Sequence, residues 1–102
     1  MNESDFETLA DRLLDALETA LADAGLDAER SGGVLTIEAD QGIWIVNKHA
    51  PTRQIWLSSP LSGARHFAWD EGTRRWTDTR GRADLLPILA DELGARIDGM
   101  PA

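Results

Sequence analysis

Ser31-Gly32-Gly33-Val34-Leu35-Thr36-Ile37-Glu38-Ala39-Asp40-Gln41-Gly42-Ile43-Trp44-Ile45-Val46-Asn47-Lys48 decides the fold. Turn chemistry at Ser31-Gly32-Gly33 and at Asp40-Gln41-Gly42 brackets two short runs rich in β-branched and aromatic residues, 34–39 and 43–48. Such runs separated by so few residues read as neighbouring strands of a meander. Outward toward the C-terminus, Ala50-Pro51, Pro60 to Gly63, Asp70-Glu71-Gly72 and Arg80-Gly81 mark further turns. They delimit strands at 53–58, 65–69 and 74–79, with a weaker opening strand near 26–30. No helix-length segment separates these strands, so the sheet is expected to be mostly antiparallel.

Helical periodicity flanks the sheet on both sides. In 5–24, Phe6, Leu9, Ala10, Leu13, Leu14, Leu17, Ala20, Leu21 and Ala24 share one side at 100° per residue. Ser4-Asp5-Phe6-Glu7 has capping-box spacing, and Gly25 offers a stop. A second helix fits 85–97, with Asp84 as its cap, Pro87 in its first turn, and Leu85, Leu89, Leu93 and Ile97 as a stripe. Gly99 and Pro101 close the chain. Two amphipathic helices beside one antiparallel sheet bury their stripes on the same face, which predicts an α+β fold. The expectation is one domain over 1–102, a two-layer α-β-α sandwich with two helices on one face of a five- to six-stranded antiparallel sheet. The other sheet face is left to solvent or to a partner.

Charge is unevenly distributed. The chain of 102 residues carries a net charge of −8, and residues 1–29 hold nine acids against one base, Arg12, while the remainder is neutral. Such a face disfavours nucleic acid and anionic membrane, and favours cations or a basic protein. The absence of cysteine excludes disulfides, zinc knuckles and thiolate-held iron–sulfur clusters. No apolar run approaches the roughly 18 residues of a membrane span, and Met1-Asn2-Glu3-Ser4-Asp5 is acidic where a signal or transit peptide would be basic. The chain therefore reads as soluble and intracellular.

Two constellations stand out. Glu7, Asp11, Asp15 and Glu18 fall within an arc of about 80° opposite the apolar stripe. Like charges four residues apart weaken a helix by a few tenths of a kcal/mol per pair, and Glu18 and Asp23 stand near the negative end of the macrodipole. Helix stability does not explain this ridge, whereas a bound hard cation would relieve both penalties. The plain alternative is a solvated helix face. In the second constellation, strand alternation sends Ile55 and Leu57 to one face and Gln54, Trp56 and Ser58 to the other. Trp56 thus lands among polar groups, either half-covered by neighbours or exposed as an anchor for a partner. If Phe67 and Trp69 are core, His66 faces out with Trp56. Trp44 and Trp76 are assigned to the core, although both sides of 43–46 are apolar and its facing stays open. Catalytic motifs are scarce: there is no phosphate-binding loop, metalloprotease helix or nucleophile elbow, and His49 and His66 are the two histidines. No catalytic residue is assigned.

The runs Gly33 to Ile37, Trp44 to Lys48, Pro51-Thr52-Arg53-Gln54-Ile55-Trp56-Leu57-Ser58-Ser59-Pro60, Ser62-Gly63 and Phe67-Ala68-Trp69 resemble frataxin, including its bacterial CyaY-type members. The similarity extends to the leading acidic helix and the closing Leu-rich helix. It implies weak binding of ferrous or ferric iron on acids of the first helix and first strand, here Glu7, Asp11, Asp15, Glu18, Asp23, Asp27 and Glu29. It also implies contact with the cysteine desulfurase and scaffold protein of iron–sulfur cluster assembly, through a sheet surface that maps to Asn47, Gln54, Trp56 and His66. His66 stands where the mitochondrial pattern has an arginine, which implies a weaker ion pair and a pH-dependent contact. The expected protein is a bacterial cytoplasmic regulator, monomeric, holding no cluster itself. The alternatives are an iron-oxidising or iron-storing protein that assembles on iron loading, and an acidic interaction domain with no metal role.

Overall fold

A computed structural model describes residues 1–81 and 83–97. Helix α1 (Glu3–Asp23) leads into β1 (Asp27–Ser31), β2 (Val34–Ala39) and β3 (Gly42–His49). A 3-10 turn (Ala50–Thr52) connects to β4 (Gln54–Ser59), and β5 (Gly63–Asp70), β6 (Arg75–Asp78) and α2 (Leu85–Leu93) follow. The strands form one sheet in sequence order, every neighbouring pair antiparallel. The weak opening strand is therefore real. It is the edge of a six-stranded sheet.

The termini of α1 show how local chemistry sets its length. Asn2, in extended backbone, accepts from the Asp5 amide at 2.7 Å, so the cap lies two residues before the expected Ser4. Asn caps as well as Ser, and the residue that meets the third helical amide first starts the helix. At the far end the Gly25 amide donates to Ala22 and the Leu26 amide to Leu21, with Gly25 at φ +83°. That is a Schellman closure, and it requires a residue free to adopt left-handed backbone.

Helix α2 ends at Leu93, four residues short of the expectation. Gly94 adopts φ +61° and the Ala95 amide turns back to the Ala90 carbonyl, although Ile97 beyond it is still buried. Asp84 holds the N-cap position, but its carboxylate accepts from Thr77 at 2.9 Å and Arg75 at 3.2 Å rather than from a helix amide. It pins the helix to β6 instead of capping it. Gly99 and Pro101 lie outside the described residues.

Register places the core. Leu35, Val46 and Leu57 lie side by side across β2, β3 and β4, as do Ile37 with Trp44 and Ile55 with Phe67. These inward residues meet Phe6, Leu13, Leu14, Leu17 and Leu21 of α1 and Leu85 and Leu89 of α2 in one buried cluster. Both helices thus cover the same face. The open facing of 43–46 resolves with Trp44 and Val46 inward and Ile43 and Ile45 outward. Burying Trp44 requires a partner for its indole N–H. Glu92 of α2 accepts from it at 2.9 Å and from Ser59 at 2.6 Å, tying α2 to β3 and β4.

Candidate functional site

The acidic ridge is not a free row of carboxylates. Strand alternation puts Lys48 on the helix side of β3, in phase with Val46 and beside Ile55, and puts Arg30 on the helix side of β1 beside Leu35. Neither cation can stay in an apolar layer, so each stem runs along the flank of α1 and delivers its charge to the ridge. Lys48 Nζ donates to Glu7 Oε2 at 2.5 Å and to Asp11 Oδ1 at 2.9 Å. Arg30 donates through Nη2 to the same Asp11 oxygen at 2.8 Å and through Nη1 to Asp15. The fourth acid, Glu18, accepts from the Arg30 backbone amide at 2.8 Å, covering the outer edge of β1. Glu7, Asp11 and Glu18 are accordingly half-buried at the helix–sheet margin rather than standing opposite the apolar stripe, while Asp15 keeps 72% of its side chain exposed.

These contacts shift two titrations. The Lys48 hydrogen bond, with the charges of Lys48 and Arg30, holds the Asp11 carboxyl below its ordinary range against a smaller opposing effect of burial. Hydrogen bonds to Asp11 and Glu7 push the Lys48 ammonium up. Asp23, Asp27 and Glu29 differ. They are exposed, and their carboxylates have no hydrogen bond or ion pair among the described residues. The seven acids therefore divide into a paired group along α1, from Glu7 to Glu18, and an unpaired group from the end of α1 into β1.

Carboxylate oxygen is the right donor chemistry for a hard cation. Among the described residues, however, no group of three or more His, Cys, Asp or Glu is placed to hold one ion. The donors fit shallow contact through one or two carboxylates, and Asp11 with Glu7, whose oxygens already converge on one ammonium, is the best-formed pair.

The uncovered sheet face carries the second constellation. Val34, Asn47, Trp56 and His66 form one row across β2 to β5. The Trp56 indole is held between two imidazoles: His49 lies 3.7 Å away, centroid to centroid, at 9°, and His66 lies 4.4 Å away at 13°. Its N–H donates to Gln54 Oε1 at 2.9 Å. Sequence reasoning placed Gln54, Trp56 and His66 together but missed His49. The signal was present, because His49 pairs with Gln54 and is thus a diagonal neighbour of Trp56. Ile43 and Ile45, 50% and 37% exposed, extend this face with apolar surface. Lys48 and Arg30 were also missed, and strand phase was again the available signal.

Comparison with known proteins places these features. The frataxin-like domain model matches residues 1–99. The chain is 40% identical over 92 residues to mitochondrial frataxin of Dictyostelium discoideum, covering 89% of this chain and 47% of that protein. It is 39% identical over 101 residues to the iron–sulfur cluster assembly protein CyaY of Vibrio cholerae, covering 96% and 94% respectively. The chain thus spans about half the length of the Dictyostelium relative and nearly all of the Vibrio one. Among solved structures, frataxin from Psychromonas ingrahamii superposes with a TM-score of 0.79 at 30% identity, covering 90% of this chain and 88% of that one. Trimeric frataxin from Saccharomyces cerevisiae complexed with ferrous iron gives 0.70 at 36% identity, covering 92% and 84%. With the same six-stranded sheet under two helices and a family match across nearly its whole length, this chain belongs to the frataxin family.

Proposed function

We propose that this chain is a non-catalytic, iron-binding regulator of iron–sulfur cluster assembly in the bacterial cytoplasm. In this reading the acids Glu7, Asp11, Asp15, Glu18, Asp23, Asp27 and Glu29 take ferrous iron as cargo or meet a basic patch on a cysteine desulfurase. Asn47, Gln54, Trp56 and His66 dock on the scaffold protein. The observation that carries the reading is the separation of two surfaces: Glu7, Asp11, Asp15 and Glu18 line α1, while the Trp56 stack occupies the sheet face that neither helix covers, with Asp27 and Glu29 at the β1 edge of that open face. One molecule can then engage a cationic partner and an aromatic-binding partner at once. Similarity to a CyaY named for cluster assembly and to a frataxin complexed with ferrous iron supports it.

Amide spectra test the two surfaces separately. Ferrous iron, added without oxygen, is expected to perturb α1 and β1 only, and a desulfurase–scaffold complex to perturb Asn47, Gln54, Trp56 and His66 as well. Iron shifts on the Trp56 face, or no response there to the complex, would contradict the assignment. A second reading, iron oxidation or storage by an iron-loaded oligomer, is favoured by the trimeric state of the yeast relative. Oxygen uptake with growth in mass on iron loading would support it; a chain that stays monomeric under iron would count against it.

A further inference from the structure

Lys48 and Arg30 occupy the oxygens that a cation on the ridge would need. The Lys48 ammonium sits between Glu7 Oε2 and Asp11 Oδ1, where a metal ion bridging those two carboxylates would sit, and Arg30 bridges Asp11 to Asp15. Four carboxylates with Glu18 against two fixed cations leave a residual charge of −2. The ridge still attracts a divalent ion, but its inner oxygens are taken.

The fold makes room for this arrangement. Gly33 lies beside β3, its carbonyl accepting from the Lys48 amide at 2.9 Å. A Cβ at Gly33 would stand 2.8 Å from Lys48 Cγ and 3.0 Å from Cε. Its missing side chain is the channel through which the Lys48 stem passes toward α1. Cγ moves only by a turn about χ1 or a shift of the backbone, either of which re-aims the stem, so even a methyl group there would disturb the contact of the ammonium with its carboxylates.

We infer that Lys48 and Arg30 are tethered counter-cations that compete with metal for Glu7, Asp11 and Asp15, and so set how weakly the ridge binds iron. This rests on the metal-binding reading of the ridge. A tethered ammonium is present at high local concentration, so a free ion must displace it or be confined to the outward oxygens. Selectivity follows as well. A monovalent ion gains nothing by replacing an ammonium of the same charge, whereas a divalent ion gains one unit.

The test is ferrous iron binding, without oxygen, measured by calorimetry and by amide shifts on wild type, Lys48→Met, Arg30→Gln and Gly33→Ala. Arg80→Gln removes one positive charge that touches no ridge carboxylate and serves as control. Each exposed pair is worth a small factor, so Lys48→Met and Arg30→Gln should each tighten binding about three- to tenfold. Gly33→Ala should tighten it less, and Arg80→Gln by under about twofold. Iron should also raise the melting temperature of Lys48→Met more than that of wild type, because the metal replaces the lost cation. Binding in Lys48→Met no tighter than in wild type, with native amide spectra, would overturn this inference alone. Failure of all the proteins to bind iron would overturn it together with the metal-binding reading.

Discussion

Lys48 and Asp11 form the pair on which the ridge turns, and their titration gives a signed prediction. Asp11 has its folded pKa lowered, so its contribution to stability is present above its ordinary value of 3.8 and is lost as pH falls through the folded pKa. Lys48 has its folded pKa raised, so its contribution is complete below its ordinary value of 10.5 and is lost as pH rises through the folded pKa. Asp11→Asn should therefore lower the melting temperature near pH 7, and the gap to wild type should close in acid, below about pH 4. A gap that persists unchanged at pH 2 would mean that Asp11 acts by packing alone. Screening matters here, since both groups are partly exposed, and about 0.5 M salt should shrink the same gap. At this scale the sequence was half legible. Trp56, Gln54 and His66 followed from alternation, and strand phase puts Lys48 and Arg30 on the helix side, but that they neutralise part of the ridge depended on where α1 crosses the sheet, which no local pattern contains.

At the scale of single elements, caps decide lengths and buried stripes decide placement. Asn2→Ala removes the hydrogen bond to the Asp5 amide and should destabilise the protein by about 1 kcal/mol, read from urea unfolding, whereas Ser4→Ala should change little. Equal losses would show that the cap is shared. Leu17→Ala, at a fully buried position, should cost about 2–5 kcal/mol. Helix α1 and the central strands were legible because their periodicities, 3.6 and 2, run for several repeats. The end of α2 was not, because the apolar stripe continues to Ile97 after Gly94 has already turned the backbone. The Asp84 cap failed for another reason: Thr77 and Arg75, on the preceding strand β6, take its carboxylate.

Across the whole molecule, the design is two unlike surfaces: the α1 carboxylates on the helix side of one sheet and the Trp56 stack on its open face, where Asp27 and Glu29 stand at the β1 edge. The excess of acid lies almost entirely in α1 and β1, even after Lys48 and Arg30 neutralise part of it, so association with a cationic partner should be fast and strongly salt-dependent. An affinity unchanged between about 50 mM and 300 mM salt would mean that the ridge is not the docking surface. The aromatic face should contribute the opposite signature. Its buried contacts act on dissociation, and salt leaves them largely untouched. The fold class was legible from element order, since two helices flanking an antiparallel meander admit few layer arrangements. What the sequence left open was the facing of 43–46, and only cross-strand register shows that Ile43 and Ile45 join the open face that carries Trp56.

Binding to the same organism's cysteine desulfurase–scaffold complex tests the two-surface account most directly, with wild type beside Trp56→Ala and an Asp11→Asn, Asp15→Asn, Glu18→Gln variant. The account predicts that each variant binds at least tenfold more weakly, the first by faster dissociation and the second by slower association. Wild-type affinity in both, or no binding by wild type under any iron condition, would contradict it.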